Sequence, residues 1–236
     1  MPSITDIAQM IDHSILHPTL GVEHLKKECE VAAKYEVASV CVKPYAVKLA
    51  TEFLKGTHVK IGSVIGFPAG NSLIETKVFE CRKACEDGAV EIDMVINIAK
   101  ALEGDWDYIE KEIMEITEVC HSFGAINKVI FETDFVTEPE SIIRLCQICT
   151  AVKADYVKTS TGFGFVKGAD GKYSYSGATI PNLKLMKGNI GPEVKLKAAG
   201  GVRTLDSLLE VREVGCSRVG ATATIAIMEE AKKRFS

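Results

Sequence analysis

The chain has 236 residues and a net charge of −4, with nearly half its residues apolar and a quarter charged, which suits one sizeable core with an ordinary surface. Lys and Arg are scattered rather than massed, which argues against nucleic acid or an anionic membrane as a partner. No apolar run reaches the length of a membrane span. The start, MPSITDIAQMIDHS, lacks the basic-then-apolar order of a secretion signal, so the expected setting is the cytoplasm.

A short N-terminal helix is followed by a first predicted strand at DHSIL (12–16). Helix 22–34 leads to ASVCVKP (38–44), helix 45–55 to KIGSVIGFP (60–68), and helix 73–86 to VEIDMVI (90–96). Helix 105–122 then precedes NKVIFET (127–133), and helix 138–151 precedes ADYVKTS (154–160). Helix 179–188, VKLKAAG (194–200), helix 204–214, SRVGATA (217–223) and helix 223–234 complete the series. The apolar runs are short and continuous, as in strands of a parallel sheet buried on both faces. Thr137, Asp105 and Thr204 stand where N-caps are expected, and Gly88, Gly124 and Gly215 where helices end.

Eight strands alternating with eight helices, with no linker between them, predict an α/β fold of the (β/α)8 TIM-barrel type spanning 1–236 as a single domain. A doubly wound open sheet is the competitor. The regular eight units, and the lack of a G-x-G-x-x-G after the first strand, count against it. Eight cysteines read as small buried hydrophobes of a reducing compartment. Cys81/Cys85 and Cys146/Cys149 have ligand-like spacings but fall in helical patterns without a nearby His, so no metal site is expected.

In a barrel, the C-terminal strand ends and the loops after them face the active-site mouth. The polar residues there are Asp12, Cys41, Lys43, Asp93, Asn97, Lys128, Glu132, Lys158, Thr159, Ser160 and Lys197. Lys158 ends an apolar run, and burial disfavours its ammonium form. Lys197 holds the matching position on the next strand, about 4.8 Å away. Repulsion between two such amines would leave one neutral and nucleophilic, as imine chemistry requires. Lys128 would add a further positive charge. Asp93, flanked by Ile92 and Met94, needs a basic partner or a proton-transfer task, and a structural ion pair with Lys128 or Lys197 is the plainer account of it. Asp12 faces the same choice between binding hydroxyls and capping backbone. Gly-rich turns in AAGGVRT and VGATAT, each before a helix, suit a phosphate, so a phosphorylated substrate is expected.

These residues resemble the deoxyribose-phosphate aldolase family of class I aldolases. The matching pieces are IDHSIL, ASVCVKP, IGSVIGFPAGN, EIDMVIN, NKVIFET, YVKTSTGFG, KAAGGVRT and RVGAT, in order over almost the whole chain. The resemblance implies reversible cleavage of 2-deoxy-D-ribose 5-phosphate to acetaldehyde and D-glyceraldehyde 3-phosphate, with neither metal nor organic cofactor. By match, Lys158 forms the imine, Lys197 perturbs its pKa and Asp93 moves protons. Asp12 and Cys41 match positions near the substrate, and Gly200, Gly201 and Gly220 match the phosphate-binding backbone. Lys128, Thr159 and Thr222 are counted with the substrate contacts. Barrels of this kind often associate, so a homo-oligomer is an open expectation.

The sequence departs from the common family pattern in several places. The longer loop FVKGADGKYSYSGAT follows the lysine motif, Asp134 stands where a glycine is usual, His17 where a lysine is common, and Thr222–Ala223 where two serines are frequent. The rival readings are a lysine-dependent aldolase of the same fold acting on another phosphorylated sugar, and a barrel that binds a sugar phosphate without turning it over.

Overall fold

The computed structural model describes residues 2–235. Helix α1 (Ile4–Ala8) precedes strand β1 (Ile11–Ile15), and Ser3 caps it with a reciprocal bond to Asp6. Then come α2 (Val22–Tyr35), β2 (Ser39–Val42), a 3-10 turn at Pro44–Ala46, α3 (Val47–Phe53), β3 (Lys60–Ile65), α4 (Ile74–Glu86) and β4 (Glu91–Val95). Helices α5 (Ile98–Glu103) and α6 (Trp106–Ser122) lead to β5 (Ile126–Ile130), α7 (Pro139–Ala151) and β6 (Tyr156–Lys158). After a small hairpin of β7 (Val166–Lys167) and β8 (Tyr173–Ser174), the chain runs through α8 (Ile180–Asn189), β9 (Lys195–Ala199), α9 (Leu205–Val214), β10 (Cys216–Ala221) and α10 (Thr224–Phe235). Among the described residues, no helix is long and apolar enough to cross a membrane.

Eight strands close a parallel barrel in the order β1-β10-β9-β6-β5-β4-β3-β2, while β7 and β8 pair only with each other. The predicted TIM barrel is therefore observed. Period-2 alternation decides what lies inside it. Ile92, Met94, Val129, Val157, Leu196, Ala198 and Val219 belong to the main apolar cluster between strands and helices. Their alternates, Glu91, Asp93, Lys128, Lys158, Lys197 and Arg218, are buried among one another within the barrel. A barrel interior is ordinarily filled by branched aliphatics. Here it is charged, and it is lined elsewhere by small residues such as Ser39, Cys41, Gly62, Ala199 and Gly220. At Gly220 a β-carbon would lie 3.2 Å from Cβ of Ala199 on the adjoining strand, so the glycine relieves crowding there.

Local differences from the sequence reading have local causes. Helix 45–55 opens as a 3-10 turn because Pro44 sits at its first position. Thr137 does not cap α7: Glu138 takes the N-cap position without a side-chain bond, and Pro139 starts the helix. Helix α5 was not predicted, although Asn97 caps it through Lys100 N–H and Gly104 ends it at φ 75°. Asp105 and Thr204 cap α6 and α9 as expected.

Candidate active site

The register brings the chemistry-bearing residues together. Lys158 on β6 is paired with Lys197 on β9, Asp93 on β4 with Lys128 on β5, and Asp12 on β1 with Gly220 on β10. Residues at one level of adjoining strands project to the same side, and in a closed barrel the inward ones converge. Oδ2 of Asp93 accepts from Nζ of Lys158 and from Nζ of Lys197, both at 2.6 Å. Its other oxygen accepts from Lys128 at 3.0 Å. Lys197 also lies 2.5 Å from Oδ2 of Asp12. Beneath them Glu91 is bound by Lys128 at 2.5 Å and by Arg218 at 2.7 Å, and Nε of Arg218 donates to Asp12 at 2.6 Å.

This connected cluster contains three carboxylates (Asp12, Glu91 and Asp93) and four basic side chains (Lys128, Lys158, Lys197 and Arg218). Charge balances if one base is neutral, and an uncompensated buried charge is costly. Burial alone would raise Asp12 and Asp93, but Lys128, Lys197 and the other cations outweigh it and hold both acids well below the usual range. Burial would likewise lower Lys128, Lys197 and Arg218, yet their acid partners prevail and all three are raised. Lys158 alone of the four is lowered. Desolvation is the main cause, and the Lys197 charge adds to it against the pull of Asp93. The sequence argument named both burial and repulsion between the lysines; of the two, burial contributes more. Lys158 touches one carboxylate oxygen, whereas Lys197 touches two acids and Lys128 three.

Above the cluster a cavity of about 200 Å³ opens at the C-terminal ends of the strands. Asp12, Cys41, Lys158, Lys197, Gly200, Gly201, Gly220 and Thr222 all line it. Burial pushes the Cys41 thiol up to about 11, so it remains neutral and unreactive as a thiolate. Gly200 and Gly201 both have φ +88°, which turns the chain sharply at the end of β9. Asp93 is fully buried and connects to the cavity through the two lysines.

Two expected substrate contacts lie elsewhere. Lys128 does not line the cavity; it is 1% exposed and its amine is engaged by Glu91, Asp93 and Asp12. Thr159 turns its hydroxyl to the β9 backbone, donating to Ala199 O at 2.9 Å and accepting from Ala199 N at 3.0 Å. It fixes the seam next to Lys158 rather than facing a ligand. Lys43 ties its amine to the His17 and Leu20 carbonyls.

Other residues escaped the sequence reading. Glu91 and Arg218 carry the floor of the cluster, and alternation was the available signal: each is two residues from a recognised inward position, Asp93 and Gly220. Glu132, noted only as a polar strand-end residue, is buried at φ 54° and takes the Thr161 backbone N–H and hydroxyl, so it clamps the loop after Lys158. Desolvation raises its carboxyl above the usual range. Phe163 from that loop lines the cavity and packs edge-on against Phe67, with ring centroids 5.5 Å apart.

The chain resembles known proteins over nearly its whole length. The sequence profile of the DeoC/LacD family aldolases matches residues 6–222. The chain is 46% identical over 230 residues to a deoxyribose-phosphate aldolase of Rhodopirellula baltica, covering 98% of this chain and 91% of that one. It is also 46% identical over 229 residues to the deoxyribose-phosphate aldolase of Thermococcus gammatolerans, covering 96% and 97% of the two chains. Among solved structures, the tetrameric deoxyribose phosphate aldolase of Aeropyrum pernix superposes with a TM-score of 0.87 over 99% of this chain and 94% of its own, at 24% identity, a likeness of fold.

Proposed function

The chain belongs to the DeoC/LacD family of aldolases, and on that premise we propose that it cleaves 2-deoxy-D-ribose 5-phosphate reversibly through an imine on Lys158. The products are acetaldehyde and D-glyceraldehyde 3-phosphate. The observation that carries this reading is the split within the barrel cluster: of its four bases Lys158 alone is lowered, and it lines the cavity.

The neutral Lys158 amine attacks C1 of the open-chain sugar, and loss of water gives a protonated imine. The C3 hydroxyl then loses its proton, the C2–C3 bond breaks, and its electron pair enters the iminium to form an enamine. D-glyceraldehyde 3-phosphate leaves with the new carbonyl. Protonation of the enamine at C2 and hydrolysis of the imine release acetaldehyde and return the amine. Asp93, held between Lys158 and Lys197 at 2.6 Å from each, is suited to moving these protons with Lys197. Lys197 stays charged between Asp12 and Asp93, so it serves as the proton donor of the pair.

At the far end of the cavity, the Gly200–Gly201 turn leads to the α9 N-terminus, and Gly220 and Thr222 precede α10. Backbone N–H groups and helix dipoles there suit the phosphate. We read the chain as one barrel domain acting on small sugar phosphates. Its eight free, buried cysteines suit a reducing compartment, and we assign it to the cytoplasm.

Borohydride trapping with 2-deoxyribose 5-phosphate, followed by peptide mass mapping, tests the reading. A reduced adduct on Lys158, lost in Lys158→Ala, is the expected result. A folded protein that neither forms the adduct nor releases acetaldehyde would overturn it.

A further inference from the structure

The hairpin between β6 and α8 reaches back into the cavity. Tyr175 lines it, and its ring edge rests on the phosphate-side turn: a β-carbon on Gly200 would lie 3.6 Å from Cε2 of Tyr175. The chain just beyond is tied to the same turn, since Ala178 N–H donates to Gly200 O at 3.0 Å. A β-carbon on Gly177 would come within 2.5 Å of that carbonyl, so the hairpin leg lies directly against β9.

Three contacts fix Tyr175 and the hairpin beside it in place. Arg203, which also lines the cavity, donates from Nη2 to the tyrosine oxygen at 3.0 Å. Phe165 packs edge-on against the ring, with centroids 5.3 Å apart at 87°. Asp134 grips the base of the hairpin through its carboxylate, taking Ser176 N–H at 2.5 Å and Gly177 N–H at 3.0 Å. Among the described residues, no acceptor takes the tyrosine's own O–H, which leaves that donor for a ligand. The one carboxylate lining the cavity, Asp12, is engaged by Lys197 and Arg218. Residue 223 is Ala, so the β10 loop brings a single hydroxyl, that of Thr222, to the anion.

We propose that Tyr175 is a ligand for the phosphate monoester of the substrate, and that Asp134 is a positioning residue that holds it over the Gly200–Gly201 turn. The proposal rests on the sugar-phosphate reading above. It adds a donor from a segment outside the barrel, one that selects for phosphorylated over plain sugars.

Inorganic phosphate titrated calorimetrically into the wild type, Tyr175→Phe and Asp134→Ala provides a readout independent of turnover. Losing a hydrogen bond to a charged group weakens binding about tenfold, and Tyr175→Phe is expected to show this. Its KM for 2-deoxyribose 5-phosphate should rise by a similar factor with kcat kept within about twofold, while cleavage of plain 2-deoxyribose is unchanged. Asp134→Ala should give the same split. Phosphate affinity unchanged in Tyr175→Phe, no phosphate binding to the wild type, or equal losses on both sugars would overturn the proposal. If the wild type cleaves neither sugar, the aldolase reading falls, and the phosphate titration still decides the role of Tyr175.

Discussion

Lys158 and Lys197 donate to the same oxygen, Oδ2 of Asp93, each at 2.6 Å, although the three residues lie on β6, β9 and β4. One acid thus holds two amines of opposite tendency, one lowered and one raised. A proton on this triad is therefore favoured on Lys197 over Lys158.

Asp93→Asn should therefore remove more than a proton carrier. It leaves Lys128, Lys158 and Lys197 facing one another with Asp12 and Glu91 as the remaining acids of the cluster. Breaking a buried ion pair by deleting one partner costs about 3–5 kcal/mol. Loss of positioned acid–base catalysis costs about 10²–10⁴ in rate. Urea unfolding and kcat measured on the same preparation should show both losses; an unchanged kcat would remove Asp93 from the proton path.

The pH dependence has a definite sign. Asp12 and Asp93 have folded pKa values below their unfolded ones, so their stabilisation is fully present above about pH 3.9 and is lost as pH falls below it. The stability difference between wild type and Asp93→Asn should shrink as urea unfolding is repeated at successively lower pH through that region. A difference that stays constant down to strongly acidic pH would contradict the depressed pKa of Asp93.

Lys158 runs the other way from an ordinary lysine. Its folded pKa lies below the usual value of about 10.4, so the neutral amine appears earlier as pH rises. The single-turnover rate of imine trapping should climb with pH and level off below that value. Because the charge on Lys197 contributes to the lowering, Lys197→Met should move the inflection upward. An inflection at the ordinary lysine value in the wild type would show that burial is not tuning the amine.

The barrel was legible because eight apolar runs and eight amphipathic segments alternate at regular spacing, and parallel strands need both faces covered. Lys158, Lys197 and Asp93 were legible as polar residues inside apolar strands. What the sequence hid was closure. Glu91 looks like a helix-to-strand junction acid, and Arg218 looks like a surface residue beside Ser217, until the barrel brings them to within 2.7 Å of each other. Lys128 was legible as a partner of Asp93 but not as a residue below the cavity, since its depth depends on how far each strand starts below the mouth. The hairpin gave no periodic signal at all, and its position over Gly200 comes from Asp134, which is distant in sequence.

Glu132 is expected to act on the loop rather than on the reacting atoms. Its left-handed φ of 54° is costly for a non-glycine residue, and its carboxylate takes both donors of Thr161. Glu132→Ala would leave the buried Thr161 N–H and hydroxyl unsatisfied, at about 1–3 kcal/mol each. Glu132→Gln keeps an acceptor and should cost less. Hydrogen exchange of the 159–164 backbone should rise sharply in the alanine variant; equal protection in both would show that the loop holds itself.

Lys77 and Glu112 form a second buried pair at 2.6 Å, on α4 and α6, and the sequence reading singled out neither. Burial lowers Lys77 and raises Glu112, each shift opposed by the other's charge, so both charged forms are strained toward neutrality. Replacing a buried ion pair by apolar residues is often neutral or stabilising. That outcome is not expected here, because the pair also serves backbone. Lys77 donates to Gly70 O and Val95 O, and Glu112 accepts from Asn97 N–H. A Lys77→Met/Glu112→Leu double variant would orphan all three groups at the turns after β3 and β4. Its stability should fall by several kcal/mol, on the order of 1–3 per group, and each single variant should add the cost of an unpaired buried charge to that of the groups it orphans. A double variant as stable as the wild type would mean that the two turns find other partners and that the pair is dispensable.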